Sequence, residues 1–276
     1  MAARCTALVF GFVGLFFHSS ISFSFDSPVW GTAEIEGFNY AGPNYSRPDG
    51  AIAQSQGTLL SSLYDYASKG QNVLGYFKAR QLLLGRIYLQ QDRGEYLIRD
   101  VYCLRFYSRS DFGKKNGLGP DQIPDTNVLN TEHTWPQSRF TMRFPEEMQK
   151  SDLHHLFPAD TEMNTKRGNL KFAELAKVGN TIPIKCNTSR LANTPIGFRF
   201  EPPMEHRGNV ARALFYFSVR YRIPIDNDEE VFLRRWHVQD PVDQAEAYHH
   251  EMIFKLQGNR NPFVDRPDLV NQVADF

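Results

Sequence analysis

Asn130-Thr131-Glu132-His133-Thr134-Trp135-Pro136-Gln137-Ser138 is followed by Ser151-Asp152-Leu153-His154-His155-Leu156-Phe157-Pro158 and then by Asn164-Thr165-Lys166-Arg167-Gly168-Asn169. Residues 128–133 read as a short strand that ends on a carboxylate and an imidazole. Residues 153–157 read as the strand that returns against it. Pro158-Ala159-Asp160-Thr161-Glu162 opens a helix, with Asp160 as its N-cap and Gly168 as its stop. The predicted unit is strand, strand, helix, with Asn164 opposite His133.

These residue types suit a one-metal phosphodiester hydrolase. A lone histidine is more often structural than catalytic. His133, however, follows a carboxylate, precedes a stiff Trp135-Pro136 turn and lies upstream of an Asn-bearing helix. A neutral imidazole with a pKa near its ordinary value of about 6.5 accepts a proton at neutral pH, so His133 is the candidate general base. Glu132 supplies a hard oxygen suited to Mg²⁺ or Ca²⁺. Side chains alternate along a strand, so Glu132 and His133 share a cavity only at a strand end or kink. Asn has poor propensity mid-helix, and that local cost points to a ligand role for the Asn164 amide oxygen.

Other polar groups nearby are read more plainly. His155 orients the site and His154 is structural. No His or Cys spacing completes a zinc pattern, and Tyr248-His249-His250-Glu251 lacks a histidine where Phe254 stands. Arg139, Arg143, Arg167 and Arg212 are candidates for phosphate contact. An arginine in such a place equally pairs with a Glu or caps a helix.

Working outward, residues 58–68 carry Leu59, Leu60, Leu63, Tyr64 and Ala67 at helical spacing, and Gly70 ends that helix. A second helical segment is anchored by Val73, Phe77, Leu83 and Leu84. Residues 86–89 and 96–98 flank Gln91-Asp92-Arg93-Gly94 as a hairpin, whose second strand continues through Val101-Tyr102-Cys103. Residues 207–221 form a helix with Val210, Leu214, Phe217 and Tyr221 on one stripe. Asp240-Pro241 starts the last long helix, which ends at Gly258.

The composition is globular, with 41% hydrophobic and 22% charged residues, which excludes a disordered or repeat protein. Net charge is zero, so any steering of nucleic acid must be local. Between Arg139 and Arg222 fourteen Lys/Arg face eight Asp/Glu. Arg4, the apolar run 6–17 and His18-Ser19-Ser20 read as a secretory signal, too short to span a membrane. Cys103 and Cys186 remain after its removal, either as one disulfide or as two buried thiols. Asn44-Tyr45-Ser46 and Asn187-Thr188-Ser189 are glycosylation triplets.

Taken together, these segments resemble the bacterial endonuclease I family, secreted or periplasmic nucleases with a ββα-metal (His-Me) finger. The resemblance rests on Glu132-His133-Thr134-Trp135-Pro136-Gln137-Ser138 with Asp152-Leu153-His154-His155-Leu156-Phe157-Pro158 and Asn164-Thr165-Lys166-Arg167-Gly168-Asn169. Weaker matches are Ala79-Arg80-Gln81-Leu82-Leu83-Leu84-Gly85, Asp100-Val101-Tyr102-Cys103, Phe200-Glu201-Pro202-Pro203, Arg207-Gly208-Asn209-Val210-Ala211-Arg212-Ala213 and Gln257-Gly258-Asn259-Arg260-Asn261-Pro262. It implies His133 as general base, Glu132 and Asn164 as ligands of Mg²⁺ (or Mn²⁺ or Ca²⁺), and His155 beside the base. It further implies cleavage of DNA, and often RNA, to 5′-phosphates with little sequence preference. The chain departs from the pattern in two places. Lys150 stands where some members have Glu, and the loop after His133 is short, leaving Arg139 or Arg143 to contact phosphate.

The expected fold is a mixed α+β single domain, helices around small antiparallel sheets with an embedded ββα-metal finger. The expected division is a signal at 1–24, an irregular leader at 25–57, the catalytic domain at 58–265 and a tail at 266–276. The expected protein is a secreted monomeric endonuclease acting on DNA and RNA, with no membrane association after signal cleavage. The alternative is a catalytically silent exported nucleic-acid-binding protein on the same scaffold.

Overall fold

A computed structural model describes residues 56–113, 117–175 and 181–276. The signal segment, the leader as far as residue 55, and the Asn44 triplet lie outside these described residues. Helix α1 (Gln56–Ser68) buries Leu63 and Ala67, and Gly70, at φ 79°, follows its end. Helix α2 (Tyr76–Leu82) runs into a π-helical turn over Leu83–Ile87, closed by Tyr88 N donating to Leu83 O at 3.0 Å. The wider turn buries Leu83, Leu84 and Ile87, while on α2 Leu82 is buried and Phe77 is 71% exposed. Phe77 and Val73 are therefore surface residues and not the predicted anchors. Residues 86–87 belong to the π turn rather than to a strand.

The first sheet is antiparallel: β1 (Gln90–Asp92), β2 (Glu95–Arg99) and β3 (Phe106–Ser108). Arg93 and Gly94, both at positive φ, make the tight turn between β1 and β2. The predicted continuation of the second strand through 101–103 does not occur. Asp100 accepts hydrogen bonds from the backbone N–H of Tyr102, Cys103 and Arg105, which curls the chain into a turn instead.

The second sheet carries the motif. β4 (Leu129–His133) pairs antiparallel with β5 (Leu156–Asp160), with Glu132 opposite Phe157 and His133 opposite Leu156. Helix α3 (Glu146–Lys150) and a 3₁₀ turn at Leu153–His155 lie between the strands. Helix α4 (Thr161–Arg167) follows, and Asp160 caps it by accepting from Met163 N at 3.1 Å. Gly168, at φ 54°, ends it. The return strand thus starts three residues later than predicted, because residues 153–155 form the 3₁₀ turn.

The third sheet orders its strands β6 (Lys171–Phe172), β9 (Gly197–Glu201), β8 (Arg190–Thr194) and β7 (Thr181–Ile182), with β6 parallel to β9 and the other pairs antiparallel. Helix α5 (Arg207–Tyr221) is buried on nearly all sides, beyond the single stripe its sequence shows, and packs against α1 and against α6 (Asn227–Gln239). Helix α7 (Gln244–Gln257) is capped by Asp243, which accepts from Glu246 N at 2.7 Å. Asp240, the predicted cap, instead ends α6 and accepts from Gly208 N at 2.7 Å. Gly258 stops α7 and meets Gly70: a Cβ on Gly258 would lie 2.3 Å from the Gly70 carbonyl oxygen. Residues 266–276 are no tail. After α8 (Pro262–Asp265), a 3₁₀ segment over Pro267–Gln272 buries Val270, and Val273 and Phe276 join the core. No helix of the described residues is long and apolar enough to cross a membrane.

Candidate active site

His133 stands at the end of β4, held from two sides. Its Nε2 is 3.1 Å from the Lys150 carbonyl oxygen and its Nδ1 is 3.3 Å from Gln137 Nε2. A carbonyl only accepts, so Nε2 carries the proton and Nδ1 presents its lone pair. Burial, then the neighbouring His155 and the charges of Lys150 and Arg167, push the His133 pKa well below the usual imidazole value, against the Lys150 carbonyl contact. The ring is therefore neutral at physiological pH.

Its surroundings are aromatic. The rings of Tyr76, His155 and Phe140 lie 5.3, 5.4 and 6.3 Å from that of His133. Phe140 and Trp135 both stack on Phe217 of α5, at 5.6 and 5.1 Å, which seats the turn after the base on the central helix. His155 is fully buried, with Nε2 2.8 Å from Gln149 O and Nδ1 without a partner. Its ring packs against that of His133 at 5.4 Å and is closed off from solvent.

Glu132 leaves β4 on the other face. Its Oε1 accepts from Tyr102 OH at 2.8 Å and from Arg167 Nη1 at 2.6 Å. Both bonds fall on one oxygen, and Oε2 takes neither. Burial raises the Glu132 pKa, and the Arg167 guanidinium and Tyr102 hydroxyl oppose that rise. Asn164, on α4, donates from Nδ2 to the Thr131 carbonyl at 3.2 Å, so the amide orientation is set and Oδ1 is presented. One carboxylate oxygen and one amide oxygen fit a hard divalent cation that keeps several waters, as Mg²⁺ does. Among the described residues no group of three or more His, Cys, Asp or Glu offers an alternative metal site.

The arginines divide sharply. Arg167 is 1% exposed and donates to Glu132, His133 O and Thr134 O. Arg212 is equally buried and holds Glu246 through two bonds, at 2.7 and 2.6 Å. Of the two roles the sequence left open, both take the pairing with a buried carboxylate. Arg139 pairs with Glu229 at 3.1 Å and covers the Trp135 ring at 4.7 Å. Arg143 is exposed on the loop that follows, with no ion pair among the described residues. Cys103 and Cys186 form a disulfide. Next to it, Thr188 and Ser189 donate to the Tyr102 carbonyl at 2.7 and 2.8 Å, so the bridge anchors the tyrosine that holds Glu132.

Sequence reasoning passed over Tyr76, Tyr102, Gln137 and the Lys150 carbonyl. Gln137 was in view four residues after His133. Tyr102 stood beside Cys103 but looked like a strand residue. Lys150 acts through its backbone, which no side-chain pattern reveals.

A profile of the endonuclease I family matches residues 71–268, a span that includes all of these groups. The chain belongs to the endonuclease I family. This family member is 34% identical over 166 residues to an extracellular ribonuclease of Bacillus subtilis (strain 168), covering 52% of this chain and 53% of that protein. It is 31% identical over 118 residues to an extracellular deoxyribonuclease of Aeromonas hydrophila, covering 42% and 50%. It is 34% identical over 122 residues to Endonuclease-1 of Buchnera aphidicola subsp. Acyrthosiphon pisum, covering 42% and 44%. The chain spans about half the length of the curated relatives it matches.

Proposed function

We propose that this endonuclease I family member is an exported, metal-dependent endonuclease that hydrolyses DNA and RNA with little sequence preference and leaves 5′-phosphates. The observation that carries the proposal is the His133 ring, whose Nε2 faces the Lys150 carbonyl and whose Nδ1 lone pair accepts only a long contact, at 3.3 Å, from Gln137. In this reading β4, β5 and α4 are a ββα-metal finger. Water entering beside Nδ1 displaces the weak Gln137 contact, gives its proton to Nδ1 and attacks phosphorus. Gln149 O and the Lys150 carbonyl keep the two imidazoles in register during the transfer. Arg143 reaches a non-bridging phosphate oxygen. Tyr102 and Arg167 hold Glu132 in place. A divalent cation held by Glu132 and Asn164 would supply Lewis-acid stabilisation of charge on the phosphate and on the departing 3′-oxygen.

Both substrate classes and the exported location are supported by the names of the relatives, an extracellular ribonuclease and extracellular and periplasmic deoxyribonucleases. Residues 1–24 act as the signal, and the mature chain works as a soluble monomer. The test is purified protein on supercoiled DNA and on RNA with Mg²⁺, Mn²⁺, Ca²⁺ or chelator. The expected result is nicking then linearisation of DNA and degradation of RNA, both lost with chelator. Tight binding without cleavage under every metal would replace the proposal with a silent binding protein.

A further inference from the structure

A groove of about 720 Å³ opens between α2 and residues 109, 117 and 121–126. Phe77, Arg80 and Gln81 line one wall; Arg109, Gln122 and Ile123 line the other. Phe77 is 71% exposed, a large ring on a helix whose other face is core. Its sequence neighbour Tyr76 is the ring that lies against His133. Arg80 covers the Tyr76 ring at 5.6 Å, and its buried Nε has no hydrogen-bond partner. Neither Arg80 nor Arg109 has an ion pair among the described residues. The carboxylates of the groove are engaged elsewhere: Asp121 holds Arg86 through two bonds of 2.6 Å, and Asp125 closes a turn on Asn127. Thr161, on the helix that bears Asn164, donates to the groove residue Thr126 at its carbonyl, at 2.7 Å, which ties one end of the groove to that helix.

An exposed aromatic face beside an unpaired guanidinium is what a nucleotide with an unpaired base requires. The base has a π-face to stack, and its phosphate needs a cation one backbone step away. A base inside a duplex is already stacked on both sides and cannot use Phe77. We propose that this groove is a subsite for one unpaired nucleotide of the substrate, with the base on Phe77 and the phosphate on Arg80. The proposal rests on the nuclease reading above.

The test separates binding from cleavage. Fluorescence anisotropy in chelator follows a labelled single strand and the duplex of the same sequence, with the native protein, Phe77→Ala, Phe77→Tyr and Arg80→Gln. Phe77 is exposed, so its replacement spares the fold. Phe77→Ala is expected to weaken single-strand binding about tenfold and to leave duplex binding within about twofold, and Phe77→Tyr is expected to restore it. Arg80→Gln is expected to weaken single-strand binding and flatten its salt dependence by about one counterion. The subsite is overturned if Phe77→Ala binds single strand as the native protein does, or loses single strand and duplex equally, or if the native protein binds neither. Cleavage of both polymers is scored in parallel with metal. Cleavage with Phe77-independent binding sinks the subsite alone; Phe77-dependent binding without cleavage sinks the nuclease reading alone.

Discussion

His133→Ala removes the proton acceptor and leaves a small cavity at the end of β4, ringed by Tyr76, Phe140 and His155. The expected loss in kcat is at least about 100-fold, with partial rescue by added imidazole. Activity within a few-fold of the native protein would remove His133 from the reaction. The arginines give a contrasting pair. Arg167→Ala strands the Glu132 charge in the interior, and about 3–5 kcal/mol of stability is expected to go with it. Arg143→Ala is expected to leave the melting temperature unchanged while raising KM. A stable Arg167→Ala protein with normal folding would mean that Glu132 is not paired as described. Residue types and spacing anticipated the hairpin and helix that carry Glu132, His133 and Asn164. The burial of Arg167 and Arg212 was not legible, because an arginine aimed at phosphate and one aimed at a carboxylate look the same in sequence.

At the scale of elements, the predictable parts were those with local signals. Asp160 before α4 and Gly168 after it, Gly70 after α1 and Gly258 after α7 all mark the ends they were expected to mark. Helix α6 was missed because its first turn, Asp228-Glu229-Glu230, reads as a solvated loop although Glu229 and Glu230 are buried. The π turn after α2 was missed because a wider helical turn changes which residues face the core without changing the composition. Of the long-range links, the Cys103–Cys186 bridge was one of two alternatives the sequence left open, and the structure forms it. It closes a loop with a sequence separation of 83, and loop-closure entropy gives it roughly 4 kcal/mol. Replacing both cysteines by serine is expected to lower the melting temperature by several degrees under oxidising conditions, and native protein in reductant is expected to match that variant. Equal melting of native and variant proteins without reductant would mean that the bridge does not constrain the fold.

Over the whole molecule, burial of imidazoles makes acid the weak side of the stability curve. Burial holds the pKa of His154 and His155 down to about 4 and that of His206 down to about 3, from 6.5. The unfolded chain therefore binds these protons at a higher pH than the native protein does. Stability from these groups is complete above about pH 6.5 and drains as pH falls toward 4, at about 1.4 kcal/mol per pH unit for each histidine. Melting followed by near-ultraviolet circular dichroism from about pH 7 to about pH 4.5 is expected to show this fall, with a shallower slope in His206→Phe. A flat profile would mean that the histidines titrate while the protein stays folded.

The meeting of Gly70 and Gly258 has a thermodynamic corollary. Each lies at positive φ, and a Cβ on either would press on the other's carbonyl oxygen, at 2.7 and 2.3 Å. The two positions behave as one energetic unit: the first alanine forces the helix ends apart, and the second then enters space already opened. A double-mutant cycle is expected to be sub-additive, the pair costing less than the sum of the singles by about 0.5–3 kcal/mol. Strict additivity would mean that each glycine serves only its own backbone angle, and that the ends of α1 and α7 are free to separate without consequence for one another.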